Sequence, residues 1–352
     1  MSSHSQIESL RVPSSAASVR LRFAAGAIFL AFACSLPFLL SGYQTFQMTM
    51  VVIYAIALLG LNILTGFNGQ ISLGHGAFYA AGAYAAAVLM DAYGVAYWMT
   101  LPAAGLLCLV VGFLFGLPAL RLEGVYLALA TFALGVALPQ LLKYREFENW
   151  TGGAQGIVLT KPEAPFGLPL DADQWLFFFT LGVAAVMFLL GWNLLRGRIG
   201  RALVAIREQP VAAASMGINN AIYKSLAFGV SAMFTGVAGA LGAIAVQFIA
   251  PDSFTIFLSI SLLVGIVVGG LASIWGALYG AVFIQFVPNL ADSLSEGAPW
   301  AVYGAVLIAV MYAMPSGIAG ALRLAATRVS KFLGRDDRAQ RGASKRAARA
   351  SQ

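Results

Sequence analysis

The sequence predicts an all-α, polytopic helical membrane protein, and three observations carry that prediction. Hydrophobic residues make up 60% of the 352 and charged residues only 10%, whereas soluble domains are about a quarter charged. The apolar residues form continuous runs, which suits lipid-embedded helices and fails the strict alternation of a membrane β-barrel. The basic residues are spread very unevenly between the loops, the pattern that sets orientation in helical membrane proteins.

Ten apolar segments are expected, at 23–40, 48–65, 71–90, 97–120, 125–142, 175–195, 222–249, 254–271, 274–290 and 300–315. Most approach the roughly 20 residues that a helix needs to cross the hydrocarbon core. The third and ninth are rich in Gly, which leaves them open to being broken or re-entrant rather than straight. Ten crossings put both termini on one side. Of the 21 Lys and Arg residues, all but Lys143, Arg145 and Lys161 then fall on that side, which is therefore the cytoplasmic one. The same asymmetry accounts for the net charge of +7 without nucleic acid as a partner.

The organisation that follows is a cytoplasmic tail over 1–22, a membrane domain over 23–315 and a basic cytoplasmic tail over 316–352. Residues 143–174 form the largest external loop, which is mildly acidic and is either a docking surface or an ordinary solvated loop. The C-terminal tail is basic and Ala-rich, suited to anionic lipid or to disorder. Cys34 and Cys108 lie in apolar runs with no CxxC spacing, so neither a disulfide nor a metal site is expected.

Residues 196–221 are an island of charge between the sixth and seventh segments. Leu203 and Ile206 sit three apart, as on one face of a helix. Pro210 suits the first turn of a second short helix, and Gly217 with Asn219 suits its end. Two short helices presented to a partner at the membrane surface are expected.

The second chemical feature runs from Gly60 to Gly82 and contains Asn62, Asn68, Gln70, Ser72 and His75. Such groups are costly in lipid unless they pair or line a cavity, and the four glycines between Gly66 and Gly76 permit a helix break. Two readings fit: helix-to-helix glue, or the edge of a translocation path built from broken helices. A fainter counterpart, Gly265 to Gly280 with Ser273, lies in the second half. There the pairs Gly265/Gly269 and Gly276/Gly280 have the spacing of packing faces.

An energy source within the chain is not evident. A P-loop requires Gly-Lys followed by Ser or Thr, and none of the five lysines follows a glycine. The acids fall in loops, tails or segment ends, and His75 is the one ionisable residue well inside an apolar run.

With these pieces assembled, the chain resembles the bacterial branched-chain amino-acid ABC transporter permeases of the LivM type. The resemblance rests on Leu61-Asn62-Ile63-Leu64-Thr65-Gly66, Gly69-Gln70-Ile71-Ser72-Leu73-Gly74-His75, and Gly124-Val125-Tyr126-Leu127-Ala128-Leu129-Ala130-Thr131. It rests also on Thr151-Gly152-Gly153 with Gly156-Ile157, Pro251-Asp252-Ser253-Phe254, and Gly269-Gly270-Leu271-Ala272-Ser273-Ile274-Trp275-Gly276. These follow family order over roughly residues 40–315.

The resemblance implies a multi-pass subunit of the bacterial cytoplasmic membrane, without enzymatic activity of its own. Its implied partners are a second permease subunit, two cytoplasmic ATPase subunits that bind ATP and Mg, and a periplasmic solute-binding protein. No cofactor or metal is expected in this chain. Residues 196–221 then correspond to the coupling segment, usually Glu-Ala-Ala, three residues, Gly. Ala212, Ala213 and Gly217 match it, but Val211 stands where the glutamate belongs. Coupling is expected to use Arg198, Arg201, Leu203, Ile206, Arg207, Glu208, Ala212, Ala213, Met216 and Gly217. The translocation path is expected to involve Asn62, Asn68, Gln70, Ser72, His75, Thr131 and Ser273. Relatives of the family also carry urea and amides, so the substrate stays open. An ion-coupled carrier working through His75, or a scaffold that moves no solute, are the rival classes.

Overall fold

The computed structural model describes residues 34–120, 122, 124–167, 169–294, 298–325 and 327. The proposed N-terminal tail at 1–22 lies outside the described residues, as does most of the first segment, of which residues 34–39 are helical; of the C-terminal tail proposed over 316–352, residues 317–325 are helical and those beyond 327 lie outside the described residues. The other nine apolar segments each correspond to a helix. These are α1 (Gly42–Asn62), α2 (His75–Asp91), α3 (Tyr97–Ala119), α4 (Val125–Leu142) and α5 (Ala172–Arg196). Two short helices follow, α6 (Arg198–Glu208) and α7 (Pro210–Ser215), and then α8 (Asn220–Val246), α9 (Ile256–Gly269), α10 (Ile274–Leu294) and α11 (Pro299–Ala313). Among the described residues, eight helical stretches are long and apolar enough to cross a membrane. The fold is thus all-α and polytopic, with one two-residue strand pair.

Local chemistry sets several of the boundaries. Ser41 caps α1 through a capping box, its backbone N–H donating to Gln44 Oε1 at 3.1 Å. Asp171 and Gln174 form the same device at the start of α5. Asn219 caps α8 by accepting from the backbone N–H of Ile222.

α1 and α8 are the buried pillars of the bundle. The small residues of α8 make that position possible, because every neighbour can approach its backbone. A Cβ on Gly236 would overlap Cys108 of α3, and one on Gly239 would overlap the Tyr79 carbonyl of α2. In lipid, where no hydrophobic force separates helix from tail, such close van der Waals contact drives association. α9 and α10 form an antiparallel hairpin. Gly269 meets the carbonyl of Gly276, and Gly280 meets that of Gly265, so both i, i+4 glycine pairs are packing faces.

Tertiary contacts define two ends. At one end Lys143 pairs with Asp252 at 2.5 Å, Lys161 pairs with Asp173, and Ile157–Val158 lies antiparallel to Phe248–Ile249. At the other end α6 and α7, the close of α1, the turn 270–273 and Gly317 come together. The segment 143–174 therefore sits opposite the elbow 196–221.

Two departures from a straight-helix reading shape the site. After α1 the helix widens into a π-helical turn, Ile63–Phe67, and residues 68–74 are irregular. α2 begins only at His75, and its 17 residues span about 25 Å, short of the roughly 30 Å hydrocarbon core. The ninth segment, by contrast, is an unbroken α10. The break precedes it at residues 270–273, where Gly270 (φ 118°) turns the chain between α9 and α10.

Candidate functional site

The irregular stretch after α1 is held by side chains from three other helices. The N–H of Leu73 donates to Thr131 Oγ1 of α4 at 2.9 Å, and the N–H of Gly76 donates to Ser259 Oγ of α9 at 2.9 Å. His75 lies between Ser72 Oγ, 2.9 Å from Nδ1, and Ser231 Oγ of α8, 2.6 Å from Nε2. Ser231 directs its own proton to the carbonyl of Gly60 at 2.6 Å, so toward His75 it must accept, and Nε2 carries the hydrogen. In the neutral ring Nδ1 then accepts the hydroxyl proton of Ser72. Irregular backbone within a membrane domain is tolerated where protein buries and pairs it, as at Ser72 and His75, whereas Gly69 and Ile71 in the same stretch are exposed.

Asn62 closes the second break. Its Nδ2 donates to the Ser273 carbonyl at 2.8 Å, and its Oδ1 accepts from the Ala272 N–H at 2.9 Å. One side chain from the first half thus gives the Ala272 N–H its acceptor and the Ser273 carbonyl a second donor beside the Gly276 N–H. Gly66 must be glycine to allow this, since a Cβ there would overlap Asn62 Oδ1 and stand 2.5 Å from the Ala272 nitrogen.

Arg207, near the end of α6, joins the elbow to this region. Its Nη1 donates to the Gly66 carbonyl at 2.6 Å. Its aliphatic stem crosses Gly69, where an added Cβ would stand 2.9 Å from Arg207 Cγ and where φ is +76°. The charged elbow and the polar Gly-rich cluster, 141 residues apart at this contact, are one site.

The predicted coupling residues divide by face. Leu203, Ile206 and Ala213 are buried against the chain's own bundle, so they anchor the elbow. Arg198, Arg201, Arg207, Glu208, Ala212, Met216 and Gly217 are exposed. Met216 is 85% exposed and Val211 83%, an apolar pair at the tip. Pro210 opens α7 as expected, and Gly217 (φ 84°) closes it, but Asn219 belongs to the start of α8.

The predicted path residues are brought together but are enclosed. Asn62, Ser72, His75 and Thr131 are fully buried, Asn68 and Gln70 are buried, and Ser273 is half-buried. Asn68 donates to Gln70 Oε1 at 2.6 Å, while its own Oδ1 has no partner among the described residues. Ser231 and Ser259 are additions the sequence does not single out, and Val211 is an addition to the expected coupling set. Single serines in an apolar helix carry no distinguishing pattern, and in the sequence Val211 stands out only as the residue in place of a glutamate. Among the described residues, no three His, Cys, Asp or Glu side chains cluster as metal ligands would.

An apolar helical bundle with two interlocked irregular segments, tied to an exposed elbow, defines a multi-pass helical membrane protein. Residues 45–315 match the family described as branched-chain amino acid transport system / permease component. The chain belongs to that family and is of the LivM type. It is 34% identical over 313 residues to the high-affinity branched-chain amino acid transport system permease protein LivM of Salmonella typhimurium, covering 82% of this chain and 73% of the relative. The LivM of Escherichia coli is 33% identical over the same shares. A probable branched-chain amino acid transport permease protein LivH from Methanocaldococcus jannaschii is 27% identical over 276 residues, 74% of this chain and 87% of that protein.

Proposed function

We propose that this chain is one membrane subunit of an ABC importer for branched-chain amino acids in a bacterial cytoplasmic membrane. ATP and Mg are bound by separate ATPase subunits that grip the α6–α7 elbow. A second permease subunit completes the pathway, and a periplasmic solute-binding protein delivers substrate. The observation that carries this reading is the two-sided elbow: Leu203 and Ile206 are sunk in the bundle, while Val211 and Met216 stand in water. Exposed apolar side chains at the tip of an otherwise polar loop are what a docking partner would cover. The enclosed state of His75, with both ring nitrogens engaged, supports a drive from outside this chain rather than an ion handled within it.

In this mechanism ATP-driven closure of the partner subunits moves the elbow, and rigid-body motion of the spans opens the pathway alternately to each side. Asn62, Asn68, Gln70, Ser72, His75, Thr131 and Ser273 hold the broken segments whose rearrangement exposes that pathway. No covalent chemistry occurs in this chain.

The test is co-purification from membranes of the complete complex, followed by uptake into proteoliposomes. The double variant Val211→Asp/Met216→Asp puts two charges on the tip without touching the buried face. It should insert normally and lose the ATPase subunits and uptake together. Wild-type uptake that persists without any ATPase subunit and collapses with a protonophore would overturn the reading.

A further inference from the structure

We propose that Arg207 is a positioning residue that transmits the position of the elbow to both irregular segments at once, through the carbonyl of Gly66. The inference rests on the ATPase-driven reading above and adds the route within this chain.

Three observations carry it. First, the Gly66 carbonyl lies in the π-helical turn, and the backbone beyond it does not claim it. The Asn68 N–H goes to Ile63 and the Gln70 N–H goes to Leu64, which leaves Gly66 O for the guanidinium at 2.6 Å. Second, Arg207 is held to that direction. Its stem lies over Gly69, and the neighbouring Ile206 is buried, so the helix end cannot tilt without carrying the guanidinium along. The acid nearest it in sequence, Glu208, approaches Nε only to 3.6 Å and is solvent-exposed, a weak competitor. Third, Gly66 lies against Asn62, whose amide holds the Ala272 N–H and the Ser273 carbonyl. Guanidinium, carbonyl, carboxamide and turn form an unbroken series from the water-exposed elbow to the break between α9 and α10. A contact series of this kind couples two sites when its members have discrete arrangements, and a π turn supplies one by closing to a regular helix.

The experiment uses the complete complex with its ATPase subunits in lipid nanodiscs and proteoliposomes. The permease carries Leu271→Cys as a reporter in the 270–273 turn, with Cys34 and Cys108 replaced by Ala. Leu271 is exposed, so maleimide labelling there follows the turn directly. In the otherwise wild-type complex, ATP with vanadate should change the labelling rate. Arg207→Ala should keep the ATPase subunits bound, lose most of that change and lower uptake by roughly 5-fold or more, the scale of a coupling interaction. Arg207→Lys retains a cationic donor and should recover part of both signals. Gly69→Ala displaces the stem while leaving the charge, and should reproduce the Ala phenotype even if Arg207→Ala assembles poorly. Intact association with wild-type labelling and uptake in Arg207→Ala and Gly69→Ala overturns the inference alone. A wild-type complex that holds no ATPase subunit overturns the coupling reading, and the inference with it.

Discussion

Asn62 shows how one side chain can hold together two distant halves of the chain. Its amide presents a donor and an acceptor on adjacent atoms, and the turn at 272–273 presents the complementary carbonyl and N–H. Replacing it by Leu keeps the volume, leaves the Ala272 N–H without its acceptor and takes one of two donors from the Ser273 carbonyl, which keeps the Gly276 N–H at 3.0 Å. The orphaned N–H then costs about 1–3 kcal/mol, so Asn62→Leu should lower the unfolding temperature of the detergent-purified protein. Asn289→Ala, at an exposed position bonded only to its own helix, should stay within about 0.5 kcal/mol of wild type. An equal effect of both substitutions would show that the clamp contributes nothing. That Asn62 needs a partner was legible from its apolar surroundings. The partner was not, because it lies 211 residues away.

Among elements, the α9–α10 hairpin depends on backbone contact through Gly265, Gly269, Gly276 and Gly280. The i, i+4 spacing already marked these as packing faces, since it places two small residues one turn apart on one side of a helix. Which helix receives each face follows only from the folded chain. Gly269→Val should separate the pair and sharply reduce the yield of monodisperse protein in size-exclusion chromatography. Gly182→Ala in α5, where nothing lies within 4 Å of the added carbon, should leave that yield unchanged. The elbow carries the complementary lesson. Pro210 and Gly217 punctuate it as the sequence predicts, because a fixed φ and a left-handed φ are local requirements. The sequence offers Leu203 and Ile206 of α6 as coupling residues, and the structure places both side chains in this chain's own bundle. An amphipathic pattern specifies that a face is covered and is silent about what covers it.

For the molecule as a whole, the elbow and the segment 143–174 lie at opposite ends, and we propose from the distribution of basic residues that the elbow faces the cytoplasm. Single cysteines test this in a background lacking Cys34 and Cys108. Met216→Cys should react with a membrane-impermeant maleimide only in inside-out vesicles, and Val158→Cys, on the exposed strand at the opposite end, only in right-side-out cells or spheroplasts. The reverse pattern would overturn the orientation and the docking assignment together.

By itself the sequence determined the all-α membrane class, the approximate positions of the nine described apolar helices, the two short elbow helices and the family. These follow from properties that act locally or sum along the chain: apolar length, helix punctuation, charge bias and ordered motifs. Only the tertiary structure decided that Arg207 reaches Gly66, that Asn62 closes the turn at 272–273, and that the Ser72–His75–Ser231 series is enclosed. Those are pairings between residues distant in sequence. Any buried donor requires some acceptor, but the choice among many is made by which helices the small residues of α1, α8, α9 and α10 allow to touch.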